Sequence, residues 1–230
     1  PHGPRPQELG EGRSGLEGIK GLKENDFNEI GRGDPLVYPQ IVDLVRMVKE
    51  MGWKPVINTN GLALTEPLLK ELKAAGVFGF TFHIDTSQKR PGVTAKTETE
   101  LGALRLHYAR MLADAGGISC SFNATISEKT FHEVAGMVTW AKEHADIVHT
   151  MVFILFRSPG LSGDFDFFAS GQKIDFGDTY KETEWAGKKI LMAEDIVGKI
   201  REAEPMYEPC AYLNGTADPS SFKWLLANRI

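Results

Sequence analysis

From Pro39 onward the apolar positions alternate between two periods. Ile41, Val42, Leu44, Val45 and Val48 recur at helical spacing through PQIVDLVRMVKEMG, with Gly52 as the expected stop. KPVINTNG follows, a short apolar run closed by turn residues, which predicts a strand. Thr65 stands where it would cap a helix over TEPLLKELKAAG, with Leu68, Leu69 and Leu72 on one face and Gly76 as terminator. FGFTFHID predicts a second strand. After a loop containing Arg90, Pro91 and Gly92, the spacing predicts a long helix from Thr97 to Ala115, ended by Gly116 and Gly117. ISCSFNATI, TFHEVAGMVTWAKEHA and IVHTMVFILFR complete the series as strand, helix and strand.

Strands alternating with amphipathic helices make this an α/β chain. VFGFTFHI and VHTMVFILF are apolar almost throughout, as strands buried on both faces are, so the sheet should be parallel and covered by helices through right-handed crossovers. Periodicity leaves a doubly wound sheet and a (β/α) barrel equally open. The flanks differ from this core. Eight of the 24 glycines fall within residues 1–33, and residues 1–30 show no sustained apolar period, which predicts a poorly ordered or weakly helical leader. Residues 31–157 form the alternating core. Residues 158–230 form an extension that could serve as a lid or substrate region. In it, Met192 to Ala203 predicts a helix and EPCAYLNGTADPSSFKWLL predicts turns with a short amphipathic piece.

Composition narrows the classes. The chain has 230 residues, 42% hydrophobic and 25% charged, the balance of a globular domain with one good core. A net charge of −5 supplies no electrostatic footprint for nucleic acid. No run of apolar residues is long enough to span a membrane, and PHGPRPQELGEG lacks the apolar segment of a secretory signal. Cys120 and Cys210 are neither a disulfide framework nor a metal-site spacing, so a reducing cytoplasm is the expected setting.

Parallel α/β folds bind ligands beyond the carboxyl ends of their strands, so the polar residues there are the candidates. These are Asn58, Thr59, Asn60 and Gly61, then His83, Asp85 and Thr86, then Asn123 and Thr125, then Arg157 and Ser158. Ahead of them stands the turn Gly31-Arg32-Gly33-Asp34-Pro35. Together they describe a polar, hydrogen-bonding pocket mouth. His83 and Asp85 share one face of a strand, which suits a proton relay, a substrate contact or a structural pair. Gln88, Lys89 and Arg90 form a polar loop that could meet a substrate phosphate or simply face solvent. Phe165, Phe167, Phe168 and Phe176 could line an apolar substrate site or pack as a lid. Cys120, between Ser119 and Ser121, fits a small core residue; His149, Trp140 and Trp185 fit structural roles.

The order GRGDP, helix, strand with TNG, helix, strand ending in Asp resembles the radical S-adenosylmethionine (SAM) superfamily over residues 31 to about 157. Arg32-Gly33-Asp34-Pro35 matches the family's GGEP turn with two substitutions, and Thr59-Asn60-Gly61 matches its TNG segment unchanged. The resemblance implies a parallel-stranded partial (β/α) barrel, incomplete at its N-terminus. It implies that Gly33, Asp34, Pro35, Asn58, Thr59, Asn60 and Asn123 contact SAM, with Asp34 accepting from the methionine amino group and Arg157 pairing with the carboxylate. His83, Asp85 and Arg90 become substrate candidates. It also implies a [4Fe–4S] cluster that reduces SAM to methionine and a 5′-deoxyadenosyl radical, a reductant such as flavodoxin or ferredoxin, and a small-molecule or unidentified substrate. The family's CxxxCxxC loop is absent from this sequence, and Cys210 could be a ligand of an auxiliary cluster, a substrate-site thiol or neither. The expectation is therefore a truncated or inactive form of a radical SAM enzyme. The alternative is a cluster-free (β/α) module that binds SAM or another ligand without catalysis. An ordinary lyase or aldolase barrel would want a Schiff-base lysine or metal-binding carboxylates at the strand tips, and these tips offer Asn, Thr, His and Asp.

Overall fold

A computed structural model describes residues 9–20, 27–31, 33–88, 90–156, 167–169, 171–174, 191–209, 211–213 and 224–226. Five strands make one sheet in the order β1 (Phe27–Ile30), β2 (Lys54–Thr59), β3 (Gly79–His83), β4 (Ser119–Ile126) and β5 (Thr150–Leu155). β1 to β4 pair parallel, neighbour to neighbour, so each connection is a crossover carrying a helix. Those helices are α2 (Ile41–Glu50), α3 (Glu66–Ala75) and α4 (Gly102–Ala115), with α5 (Val134–Glu143) leading into β5. The result is an α/β partial barrel of five parallel strands. Contacts divide the chain into two compact units, Pro1–Ala124 with Met137–Val152, and Thr125–Gly136 with Phe153–Ile230.

The first unit holds the main core. Alternation along β2 buries Pro55, Ile57 and Thr59 while Val56 and Asn58 stay half-exposed on the other face. β3 does the same with Phe80 and Phe82, both fully buried. Phe82 stacks on Tyr108 of α4 at 4.7 Å and on Phe122 of β4 at 5.8 Å between ring centroids. Val45 and Val48 of α2, Leu69 and Leu72 of α3, and Leu112 of α4 cover this face. Each such side chain taken from water contributes about 1.5–3 kcal/mol. The Thr65 hydroxyl caps α3 by accepting from the Leu68 N–H at 3.3 Å.

Several elements differ from the sequence expectation. Residues 1–30, expected to be poorly ordered or weakly helical, contain the helix α1 (Leu9–Lys20) and, beyond that expectation, the edge strand β1. β1 is only four residues long and shows no apolar run, which is why periodicity misses it. Its Phe27 packs edge-on to Phe78, and the Lys54 ammonium sits over both rings, 5.0 and 5.4 Å from their centroids. The helix expected from Thr97 begins at Gly102 instead. Residues 97–101 are turns because the Glu98 side chain reaches back to Thr86. In the second unit, α6 (Ala193–Ala203) matches expectation. Two short antiparallel pairs, β6 (Phe167–Ala169) with β7 (Gln172–Ile174) and β8 (Ala211–Leu213) with β9 (Trp224–Leu226), stand where turns or no period were expected. Phe168 is exposed; Phe165 and Phe176 lie outside the described residues.

Cys120 is the small core residue its neighbours suggest, fully buried in β4. Its backbone N–H donates to His149 Nδ1 at 3.0 Å, giving His149 a structural role. Burial pushes the thiol from 9.0 up to about 12. The folded state therefore holds this proton more tightly than the unfolded chain. The resulting stabilisation is complete below pH 9.0 and is lost as pH rises towards about 12. Chemical denaturation across that window should show stability falling, with Cys120→Ala removing this part of the slope. In the native protein Cys120 should resist alkylation at pH 8 and react only after unfolding.

Candidate functional site

The turn after β2 is held by two bonds of its own and by side chains from three other segments, Asp34, Arg90 and Tyr108. Thr59, buried at the tip of the strand, donates its hydroxyl proton to the Asp34 carboxylate at 2.8–2.9 Å and accepts from the Gly61 N–H at 3.0 Å. Asn60 donates its N–H to Asp34 at 2.9 Å, and its side-chain oxygen accepts from the Leu62 N–H at 2.8 Å. The Asn60 carbonyl accepts from the Arg90 guanidinium, and the Gly61 carbonyl accepts from the Tyr108 hydroxyl at 3.0 Å. Gly61 has φ +79, and a Cβ there would meet the Tyr108 ring at 2.8 Å. Only glycine satisfies both the left-handed backbone and that approach.

Asp34 works at two places at once. It caps the short 3-10 turn Pro35–Val37 by accepting from the Leu36 N–H at 3.0 Å, and it anchors the TNG turn 25 residues on. Pro35 is buried at the first position of that turn. Beside it lies an open cleft of about 230 Å³ lined by Glu29, Gly31, Gly33 and Asn58. Glu29 accepts from the Asn58 amide at 2.8 Å, which orients both side chains at this cleft. Sequence reasoning missed Glu29 because it sits on the unrecognised β1; the alternation Phe27, Asn28, Glu29, Ile30 just ahead of the GRGDP turn was the available signal.

The end of β3 forms a second cluster. His83 Nε2 and Asp85 Oδ2 are 2.8 Å apart, with the Asp85 side chain fully buried and His83 partly open. Ser87 donates both its N–H, at 3.0 Å, and its hydroxyl to the other Asp85 oxygen. Asn123 is in register beside His83 and is 8% exposed. Beneath the loop is a buried ion pair that sequence reasoning also missed. Glu98 and Arg105, both essentially unexposed, are paired through Glu98 Oε2 and Arg105 Nη2. Glu98 Oε1 accepts from the Thr86 N–H and hydroxyl, each at 2.8 Å, while Arg105 donates to the Ile84 and Glu98 carbonyls, each at 2.8 Å. The structure thus brings Gly33, Asp34, Pro35, Thr59 and Asn60 together, sets Asn58 on the adjoining cleft, and gathers His83, Asp85 and Arg90 in the neighbouring loop. Arg32, Lys89, Arg157 and Cys210 lie outside the described residues.

An α/β partial barrel whose polar groups gather at the carboxyl ends of its strands is the class of fold that presents ligands there. The model of the Radical SAM superfamily matches residues 20–141, and the chain belongs to that superfamily. It is 26% identical over 137 residues to the AdoMet-dependent heme synthase of Methanosarcina barkeri, covering 57% of this chain and 38% of that protein. The PqqA peptide cyclase of Gluconobacter oxydans is 27% identical over 130 residues, 53% of this chain and 35% of the cyclase. The tungsten-containing aldehyde ferredoxin oxidoreductase cofactor-modifying protein of Pyrococcus furiosus is 46% identical over 55 residues, covering 24% of this chain and 15% of that protein. The chain therefore spans well under half the length of the curated relatives it matches. Among solved structures, Streptococcus suis SuiB bound to S-adenosylmethionine superposes with a TM-score of 0.53 at 14% identity, covering 90% of this chain and 48% of SuiB. That likeness is one of fold.

The family implies SAM and a [4Fe–4S] cluster, and this chain suits them unequally. Among the described residues no group of three or more His, Cys, Asp or Glu is placed to hold a metal. Cys120 is sealed in the core as a thiol. The cluster does not fit these residues. Toward SAM the chain offers the turn beside Asp34, where Gly33, exposed and at φ +66, has no atom within 4 Å of a Cβ position.

The Glu98–Arg105 pair generates a stability prediction. Glu98→Gln leaves a buried guanidinium without its carboxylate, so urea denaturation should show a loss of about 3–5 kcal/mol.

Proposed function

We propose that this chain forms the part of a radical SAM enzyme that binds and orients S-adenosylmethionine. The observation that carries the reading is the Asp34–Thr59–Asn60 cradle beside the open backbone of Gly33. SAM's methionine ammonium is a cation with donors on every side; Glu29 faces the cleft, and Asp34, which already accepts from Leu36, Thr59 and Asn60, adds negative charge beside it. In this reading Pro35 and Leu36 hold the turn rigid, Asn58 and Asn60 border the ligand, and Asn123 contributes a polar contact from β4. Arg157 is kept as the candidate for the SAM carboxylate. The chemistry that SAM supplies when bound in this family is the start of a radical reaction on a substrate. This chain's own share is positional: it keeps the rim pre-organised and holds His83, oriented by Asp85, at the edge of the substrate space, where it can take up or release a proton.

With no cluster triplet in the sequence, we assign the chain no SAM cleavage of its own and keep the full activity, a flavodoxin- or ferredoxin-type reductant and a cytoplasmic setting as parts of the proposal. The same observation favours a second reading, a ligand-binding module without catalysis.

Calorimetric titration of the purified chain with SAM should give saturable 1:1 binding. Asp34→Asn, which keeps the shape and removes the charge, should weaken it about tenfold, roughly 1.4 kcal/mol, with Tm monitored alongside. A flat titration with folded protein would sink the proposal. Anaerobic incubation with iron, sulfide, dithionite and SAM should yield no 5′-deoxyadenosine; its formation would overturn the assignment of binding without cleavage.

A further inference from the structure

The loop after β3 contains a cation whose partners are all neutral. Arg90 is 7% exposed, yet no carboxylate among the described residues pairs with it. Nη1 donates to the His83 carbonyl at 3.3 Å and to Gln88 Oε1 at 3.0 Å, and Nη2 donates to the Asn60 carbonyl. Nε, buried, has no hydrogen-bond partner among the described residues. Asp85 borders the same space, but its oxygens receive His83 and Ser87. A guanidinium withdrawn from water among neutral acceptors is unfavourable, and an unmatched N–H adds to that cost.

The unmatched atom belongs to the part of the guanidinium suited to one ligand chemistry. Nε–H and Nη2–H form the side fork that grips two oxygens of one planar anion. Arg90 also lines a cavity of about 370 Å³ together with Asp85, Thr86, Gln88, Pro91, Val93 and Leu101. Gln88 turns its carboxamide oxygen to Arg90, which leaves its amide nitrogen to donate. Pro91, Val93 and Leu101 offer an apolar wall for a hydrocarbon stem. The bond from Arg90 to Asn60 ties this cavity to the turn assigned above to SAM.

We propose that the Arg90 cavity is a substrate subsite that takes a carboxylate, held by the Nε/Nη2 fork, with the adjoining hydrocarbon against Pro91, Val93 and Leu101. This deepens the proposed function and rests on it for the word substrate; the anion site itself rests on Arg90. Because Nε is buried in this state, the Pro91–Gly92 turn has to give slightly as the anion enters.

The test follows the Arg90 Nε–Hε cross-peak in 1H–15N spectra of the full chain during titration with sodium acetate. Sodium chloride at equal ionic strength and neutral acetamide serve as controls. A saturable shift with acetate alone is expected. No shift, or equal shifts with chloride or acetamide, would overturn the site. In Arg90→Lys, checked for folding by its thermal melt, the Gln88 side-chain amide should lose its acetate response; an unchanged response would place the anion elsewhere. If the variant fails to fold, the titration of the unsubstituted chain decides alone. A saturating amount of SAM separates the two sources of carboxylate. An acetate response that persists assigns the fork to the substrate. SAM that moves the Arg90 signal itself and abolishes the acetate shift assigns it to SAM and overturns the substrate proposal. Acetate binding in a chain that calorimetry shows does not bind SAM would defeat the proposed function and leave the anion site standing.

Discussion

The buried ion pair between Glu98 and Arg105 is the constraint from which the polar rim takes its shape. Two charges removed from water are tolerated only when geometry and further hydrogen bonds compensate them. Here those further bonds reach Ile84 and Thr86, on either side of Asp85. The pair thus fixes the path of the loop from β3 to α4, and with it the places of Asp85, Ser87 and Arg90. It also explains why α4 starts late. The glutamate that would begin the helix is drawn down to the loop, so the chain turns through residues 97–101 before Gly102.

From Arg90 the order passes to the next strand tip. Its bond to the Asn60 carbonyl meets, from the other side, the bonds that Asp34 makes to Thr59 and Asn60. Successive tips are joined by side chains as well as by the sheet ladder beneath them. A ligand arriving at this rim meets groups already oriented, so little ordering remains to oppose binding. The arrangement also separates two kinds of carboxylate. Those of Asp34, Asp85 and Glu98 are engaged in holding backbone, while Glu29 faces the open cleft.

Much of this was legible in the sequence because it is local. Short apolar runs expose β2 to β5, and a 3.6-residue period exposes the helices between them, since each such element buries apolar side chains close together in sequence. The tip residues were legible for the same reason: a strand that ends in Asn58-Thr59-Asn60-Gly61 puts them at the carboxyl edge wherever the strand lies. β1 was hidden because FNEI is a short edge strand with two polar residues, held mainly by its neighbour. The pairing partners were hidden because they are distant in sequence. Asp34 meets Thr59 across 25 positions, Arg90 meets Asn60 across 30, and Tyr108 meets Gly61 across 47. No periodicity encodes such distances. Glu98 and Arg105, seven apart, would share a face on a continuous helix, and the break between them conceals that their partnership is with the loop.

Tyr108 and Gly61 carry a consequence for how this chain can vary. The ring of one occupies the volume that a side chain on the other would need, and its hydroxyl holds the same residue's carbonyl. The two positions are therefore free to drift only as a couple. Enlarging residue 61 calls for a smaller residue on α4, and that change would release the carbonyl at the tip of β2. An aromatic hydroxyl on a helix thereby adds to the left-handed backbone in restricting the evolution of a turn far away in the chain, and descendants of this sequence should keep both residues.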